Sequence, residues 1–220
     1  MIIQETEIKD VYIIKNFIRK RFHAEIYDHV CYNMDWYFMS SSQNAYHAID
    51  DPRVEPYFSK LIHGFNETKG TIDTTCDFDW AKIAYPLVVA ASTDEWFRPI
   101  QRIKINLYPK TEELVHHAIH IDYPINQKSS HPWNQDINIM NIVYMINTCD
   151  GYTEIFETDP RENVHEPQWT SDKDIPESIT KSIKVPSVEN TAVIFPNHYA
   201  HRATSTTNSQ GRFTVNCNIL

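Results

Sequence analysis

An α+β fold, with an antiparallel jelly-roll core buttressed by N-terminal helices, is predicted by three observations. Apolar residues recur near helical spacing in the first third of the chain, whereas from about residue 83 short β-rich runs are separated by clusters of Pro, Asn, Asp and Ser. That order, helices first and many strands later, is the texture of an α+β chain built on an antiparallel sheet. Three of the later runs alternate between a mainly apolar and a mainly polar side, so each has one face for a core. Their polar faces carry histidine, aspartate and arginine, and a double-sheet jelly roll turns such faces into the wall of a cavity.

In chain order, a strand is expected over 11–14, followed by a helix over 16–30 from the spacing of Phe17, Ile18, Phe22, Ile26 and Val30. A second helix is expected over 54–65, with Pro52 upstream and Gly64 near its end. Residues 1–82 thus form a mainly helical buttress and 83–220 the core, all within one domain, 1–220. Residues 157–189, rich in Pro, Asp, Glu and Ser, are expected to form a long excursion of the kind that makes lids or specificity loops. Only four glycines occur, so asparagine is expected to take some left-handed backbone positions. Gly151 and Gly211 stand beside the motifs described below, where a tight turn or close approach to a ligand needs no side chain.

Composition narrows the functional classes. Hydrophobic residues at 41% and charged residues at 22% place the chain among globular proteins. No apolar run approaches the roughly 20 residues that span a bilayer. The first ten residues lack the basic and apolar regions of a secretory signal, so a cytoplasmic setting is expected. Cys31, Cys76, Cys149 and Cys217 form no close pair and are read as reduced thiols rather than a zinc knuckle or redox dithiol. A net charge of −9 disfavours nucleic acid as a partner, and the basic group Lys15, Arg19, Lys20 and Arg21 is read as the solvated face of a helix.

Alternation assigns the side chains within three runs. In 114–123, His116, Ala118, His120 and Asp122 share one face, opposed by His117, Ile119 and Ile121. In 211–220, Arg212, Thr214, Asn216 and Asn218 oppose Phe213, Val215, Cys217 and Ile219. In 102–108, Arg102, Lys104, Asn106 and Tyr108 oppose Ile103, Ile105 and Leu107. The apolar faces are expected under the N-terminal helices and the polar faces around a cavity.

The triplet His120-Ile121-Asp122 decides nothing alone, since short motifs match by chance and the chain has 11 histidines. The full arrangement is more telling: His120 and Asp122 on one strand, then His201 after the apolar run 192–196, then Arg212 in Gly211-Arg212-Phe213-Thr214. Two imidazoles and one carboxylate suit a non-haem Fe(II) centre that keeps open positions. Arginine offers a planar fork for a carboxylate, and buried beside a metal it would otherwise be an unpaired charge costing several kcal/mol or so. A dicarboxylic ligand resolves that cost.

On these residues the chain resembles the Fe(II)- and 2-oxoglutarate-dependent dioxygenases, in particular their prolyl-4-hydroxylase-like branch. The resemblance rests on the strand 103–108, on His120-Ile121-Asp122, on 143–147 with 150–155, and on 193–197 through His201 to Gly211-Arg212-Phe213-Thr214. It spans residues 100–220 and departs from the family's Gly-Gly-x-Thr-x-Phe block, which here reads Asp150-Gly151-Tyr152-Thr153-Glu154-Ile155. The resemblance implies a double-stranded β-helix, with His120, Asp122 and His201 as iron ligands. It further implies that Arg212 pairs with the distal carboxylate of 2-oxoglutarate, assisted by Tyr108 and Thr214. It implies hydroxylation of an aliphatic C–H in a peptidyl or small-molecule substrate, with O₂ consumed, succinate and CO₂ released, and ascorbate as a stimulant.

His116, Asn106, Asn216 and Trp133 are candidates for substrate contact or support of the site. His131 and His198 are read as loop residues. Trp169 and Tyr199 border the proposed site and can pack or meet substrate, and Trp36, Trp80 and Trp96 are read as core or buttress. One alternative is a non-catalytic, cupin-like jelly-roll module that binds metal or ligand. It gives no reason for an arginine at this position. Another is a histone-demethylase-like hydroxylase, which anchors its co-substrate with a lysine from a different strand.

Overall fold

The computed structural model describes residues 1–39, 57–66, 71–74, 82–83, 85–91, 100–122, 139–158, 175 and 177–219. Its strands run in chain order β1 (Ile2–Glu5), β2 (Tyr12–Lys15), β3 (Tyr37–Met39), β4 (Tyr57–Asn66), β5 (Thr71–Thr74), β6 (Ile100–Pro109), β7 (Met140–Met145), β8 (Tyr152–Phe156), β9 (Ser182–Pro186), β10 (Thr191–Pro196), β11 (Ala200–Ala203) and β12 (Gly211–Ile219). Among the described residues two α-helices, α1 (Lys20–Asp28) and α2 (Tyr85–Ala91), accompany them, and α1 runs into a π-helical turn, His29–Asn33.

The strands form two antiparallel sheets. The larger has the order β1-β2-β10-β7-β12-β6-β4-β3, with β5 on β4; the smaller is β11-β8-β9. Residues 116–120 lie along the free edge of β11 through bridges His116 to Thr204 and His120 to His201. The result is a double-stranded β-helix.

Alternation in the larger sheet divides its two faces cleanly. Ile103 and Ile105 of β6, Ile142 and Tyr144 of β7, and Val215, Cys217 and Ile219 of β12 point outward. There they join Ile26, Val30, Ile83 and Leu87 in one buried cluster, so α1 and the π-helical turn cover this face as expected, joined by α2. The inward residues of β7 and β10, namely Val143, Met145, Val193 and Phe195, meet Ile155 and Val185 of the smaller sheet. The inner face is therefore apolar under β7 and β10 and polar under β12 and β6.

The buttress differs from its expected form. Residues 54–65 do not make a helix; their described part lies in β4, paired with β6. A register shift between Leu61 and His63 interrupts the two-residue alternation. Phe58, Leu61, Ile62 and Phe65 consequently fall at helical spacing within a strand. Among the described residues, 1–82 thus hold five strands and one α-helix. The first helix starts late, at Lys20, because Asn16 takes a positive φ of 53° and Arg19 is extended. Phe22, expected on its buried face, is exposed.

Two further corrections concern the core region. Residues 85–91 form α2 rather than a strand, and the excursion 157–189 contains β9, which pairs with β8 along its length. Asparagine does substitute for glycine in the backbone, since Asn16 and Asn190 have positive φ, as does Asp10. Asn190 also ties the chain, accepting from the Ile18 amide at 3.1 Å and donating to the Ile18 carbonyl at 3.0 Å. Cys31, Cys149 and Cys217 are free thiols. Arg21 pairs with Glu25 on the exposed side of α1, in keeping with a solvated basic face. No described helix is long and apolar enough to cross a membrane.

Candidate metal centre

Three ligand atoms converge where the 116–122 segment passes β11. One nitrogen each from His120 and His201 and one oxygen from Asp122 lie within 4.8 Å of one another, a group that could hold a metal ion. Nε2 of His120 is 3.7 Å from Asp122 Oδ1, and Nε2 of His201 is 4.0 Å from Asp122 Oδ2. Local pairing fixes this arrangement, because the main chains of His120 and His201 exchange both backbone hydrogen bonds, at 3.0 and 2.9 Å.

The donor chemistry fits a cation. His120 Nδ1 lies 3.0 Å from the Ala118 carbonyl, which can only accept, so Nδ1 carries the proton and Nε2 keeps its lone pair. Both ring nitrogens of His201 are buried without a hydrogen-bond partner of good geometry. Buried polar atoms left this way are rare, and a coordinated ion satisfies one of them. Burial, followed by the neighbouring His120, lowers the His201 pKa to about 4, and burial lowers that of His120 despite Asp122. Both imidazoles are therefore neutral near pH 7, the form that binds metal. Burial alone would raise the Asp122 pKa, but Arg102, the two histidines and Asn218 hold it well below the usual carboxylate range.

Asp122 is oriented from the larger sheet. Arg102 Nη2 meets Oδ1 at 2.6 Å, and Asn218 Nδ2 donates to Oδ2 at 2.9 Å. Arg102 Nε also donates to Asn218 Oδ1 at 2.9 Å, and Asn218 Nδ2 reaches Asn141 Oδ1 at 2.6 Å. Sequence reasoning placed Arg102 and Asn218 on the correct faces but gave them no role. Their signal is the antiparallel register, which sets Asn218 opposite Arg102, Asn216 opposite Lys104, Thr214 opposite Asn106 and Arg212 opposite Tyr108.

Farther along β12, Arg212 is fully buried. Nη2 donates to Thr153 Oγ1 at 2.7 Å and Nη1 to the Thr204 carbonyl at 3.4 Å, while Nε has no partner. The guanidinium lies 5.6 Å from the ring of Tyr108, which is buried and has its pKa raised by that burial and by Tyr57. Thr214 hydrogen-bonds Tyr108. Among the described residues Arg212 has no carboxylate partner, unlike Arg202, which donates to Glu154 Oε2 through Nε at 2.9 Å and Nη2 at 2.7 Å.

Tyr108, His120, His201, Arg212, Thr214 and Asn216 line one cleft, together with Val143, Thr153, Arg202 and Ala203. Among the candidate supporting residues, Asn216 is thus at the cleft. Asn106 is buried on the same sheet face, with its Oδ1 unpartnered. His116 is displaced from its expected position: its ring bonds the Tyr152 hydroxyl at 2.7 Å instead of turning toward the metal ligands. The described part of that run, 114–122, is a bridged segment rather than a regular strand, so strict alternation fails there. His117, assigned to the opposite face, packs 4.7 Å from Tyr108 and 5.8 Å from Tyr57. Burial and nearby Arg212 lower its pKa to about 3.

Tyr199 is buried in the inter-sheet core. Trp36 packs against the outer cluster and Phe213. Trp133, His131, Trp169, Trp80, Trp96 and Cys76 lie outside the described residues. Thr153 and Tyr57, which approach the cleft from β8 and β4, were not singled out as site residues from the sequence.

No protein-family model and no curated protein sequence matches this chain. Solved structures do. A 2OG-Fe(II) oxygenase family oxidoreductase from Burkholderia pseudomallei aligns with TM-score 0.57 and 11% identity, covering 96% of this chain and 84% of its own. A prolyl hydroxylase from Trichoplax adhaerens, in complex with a peptide fragment of the hypoxia inducible factor oxygen degradation domain, gives 0.55 and 14%, with coverage of 96% and 83%. The non-heme alpha ketoglutarate dependent epimerase SnoN from nogalamycin biosynthesis gives 0.58 and 9%, with coverage of 96% and 77%. The fold is that of the 2-oxoglutarate and Fe(II) oxygenases, prolyl hydroxylases among them.

Proposed function

We propose that this protein is an Fe(II)- and 2-oxoglutarate-dependent dioxygenase that hydroxylates an aliphatic C–H of a peptidyl or small-molecule substrate and releases succinate and CO₂. The observation that carries this reading is the buried Arg212 guanidinium. It has no carboxylate partner among the described residues and shares a cleft with two of the three convergent ligand residues. A buried arginine left unpaired costs several kcal/mol or so, and a dicarboxylic co-substrate supplies the missing partner.

His120, Asp122 and His201 would hold the metal, leaving further positions for co-substrate and O₂. Iron with 2-oxoglutarate and O₂ supplies the oxidising chemistry, and ascorbate is expected to stimulate by keeping the metal reduced. The chain's own residues bind and orient. Arg212 would pair with the distal carboxylate, and Thr153 fixes the guanidinium from behind. Tyr108, kept a neutral phenol by burial, would donate to the same carboxylate, with Thr214 orienting its hydroxyl. Arg102 and Asn218 position Asp122. The apolar wall from Val143 and Phe195 keeps water from the histidines, Phe195 lying 5.1 Å from the His201 ring.

The epimerase among the structural neighbours, and the peptide held by the prolyl hydroxylase, are consistent with either a small-molecule or a peptidyl substrate. The non-catalytic cupin-like reading leaves Arg212 without a purpose. Purified protein with Fe(II), ascorbate and O₂ is expected to release succinate from 2-oxoglutarate. His201→Ala is expected to abolish this release, and Arg212→Lys to raise the 2-oxoglutarate requirement at least about tenfold through loss of the bidentate fork. Absence of both Fe(II) and 2-oxoglutarate binding by the wild type would sink the assignment.

A further inference from the structure

We propose that Lys104, together with Tyr57, anchors a carboxylate of the substrate beside the metal centre, so that the substrate is a carboxylic acid rather than a neutral molecule. This inference rests on the oxygenase reading above and narrows it. Lys104 lies on the inner face of β6 between Arg102 and Asn106, directly opposite the cleft residue Asn216.

The anion nearest in effect, Asp122, favours the ammonium form of Lys104 but is itself held by Arg102 and Asn218. Nζ donates to the Tyr57 hydroxyl at 2.6 Å and lies 4.9 Å from the centre of that ring, and no carboxylate pairs with it among the described residues. Tyr57 cannot supply the charge, because burial raises its pKa to about 12 and it stays a neutral phenol. The other charges near the cleft are already matched. Arg102 pairs with Asp122, Arg202 with Glu154, and Arg212 is the anchor assigned to 2-oxoglutarate. Lys104 is left over, and burial with the neighbouring Arg102 lowers its pKa to about 8 against the opposing pull of Asp122.

The dyad is shaped for a carboxylate. The Tyr57 oxygen accepts from Lys104, so its own proton is available to a third group, and two donors 2.6 Å apart can address the two oxygens of one carboxylate. A single ammonium matches a monoanion better than dianionic phosphate. Tyr57 also stacks on Tyr108 at 5.5 Å, which places the substrate anchor next to the co-substrate pocket without merging the two.

The test uses the full chain loaded with Mn(II) in place of iron, and with 2-oxoglutarate. Water-proton relaxation reports metal and co-substrate binding, and the proton relaxation of added propionate, propionamide or inorganic phosphate reports their approach to the metal. Propionate is expected to be relaxed saturably and to bind about tenfold more tightly than propionamide, as a charge-assisted contact requires. Lys104→Met is expected to erase that preference and Lys104→Arg to keep most of it. A capped aspartyl peptide replacing propionate would identify the source as an acidic side chain; propionate alone would point to a free acid. Equal relaxation of propionate and propionamide in the wild type overturns the inference, as does a preference for phosphate. Loss of 2-oxoglutarate binding in Lys104→Met would also overturn it, by making Lys104 a co-substrate anchor. Failure of Mn(II) and 2-oxoglutarate to bind the wild type overturns the oxygenase reading itself, and the inference with it.

Discussion

Arg212 depends on one short contact, the hydrogen bond from Nη2 to Thr153 Oγ1 at 2.7 Å. Thr153→Val keeps the shape of the side chain and removes the acceptor, leaving the guanidinium with a long bond to Thr204 and freedom to rotate. A hydrogen bond to a charged group is worth about 1.5–3 kcal/mol, so the 2-oxoglutarate Kd is expected to rise roughly tenfold or more. Titration of co-substrate into the Mn(II)-loaded variant measures it, and an unchanged Kd would remove Thr153 from the anchor. At this scale the sequence was legible where residues sit in regular strands. Arg212, Thr214, Asn216 and Tyr108 occupy the faces that alternation assigns. His116 and His117 were misassigned because their segment pairs through single bridges, where the backbone owes nothing to a two-residue period.

Among the elements, the turn from β7 into β8 brings its backbone against the arginine. A Cβ added at Gly151 would meet the Ser205 carbonyl oxygen at 2.5 Å and Arg212 Cδ at 2.6 Å, and the carbonyl belongs to backbone that cannot yield cheaply. Gly151→Ala is therefore expected to lower stability by about 1–3 kcal/mol, the usual effect of overpacking, and to weaken 2-oxoglutarate binding by displacing Arg212. Urea unfolding and co-substrate titration on the same variant check both; a variant as stable and as tightly binding as wild type would contradict the close packing. The element-level misreading at 54–65 has the same kind of origin. One bulge in β4 converts strand spacing into helical spacing, and only the neighbour β6, which needs an edge partner, decides for the strand.

The molecule as a whole buries neutral histidines, and this couples its stability to pH. Folded His117 and His201 take up a proton only near pH 3 and pH 4, whereas unfolded histidine does so near 6.5. Between those limits the unfolded chain binds more protons, so stability falls as pH falls from about 6.5, by on the order of 1 kcal/mol per pH unit for each group. Asp122, with its folded pKa depressed, adds a loss of the same sign below its unfolded value of about 3.9. The urea midpoint of metal-free protein is expected to drop clearly between pH 7 and pH 5, and an unchanged midpoint would mean that these imidazoles are solvated. Excess Mn(II) should raise the midpoint at pH 7, since it binds the folded state alone.

Local chemistry and periodicity in the sequence determined the β-rich core, the inward faces of β6 and β12, and the placing of His120, Asp122, His201 and Arg212 as candidate site residues. Those properties follow from residue spacing within single elements, which a chain displays before it folds. Tertiary structure alone decided that β4 is a strand, that His117 faces Tyr108, that Arg102 and Asn218 grip Asp122, and that Lys104 Nζ bonds Tyr57 and no carboxylate among the described residues. Each of these depends on which distant elements become neighbours, and burial across such contacts, rather than spacing along one strand, sets the charge and proton balance of the cleft.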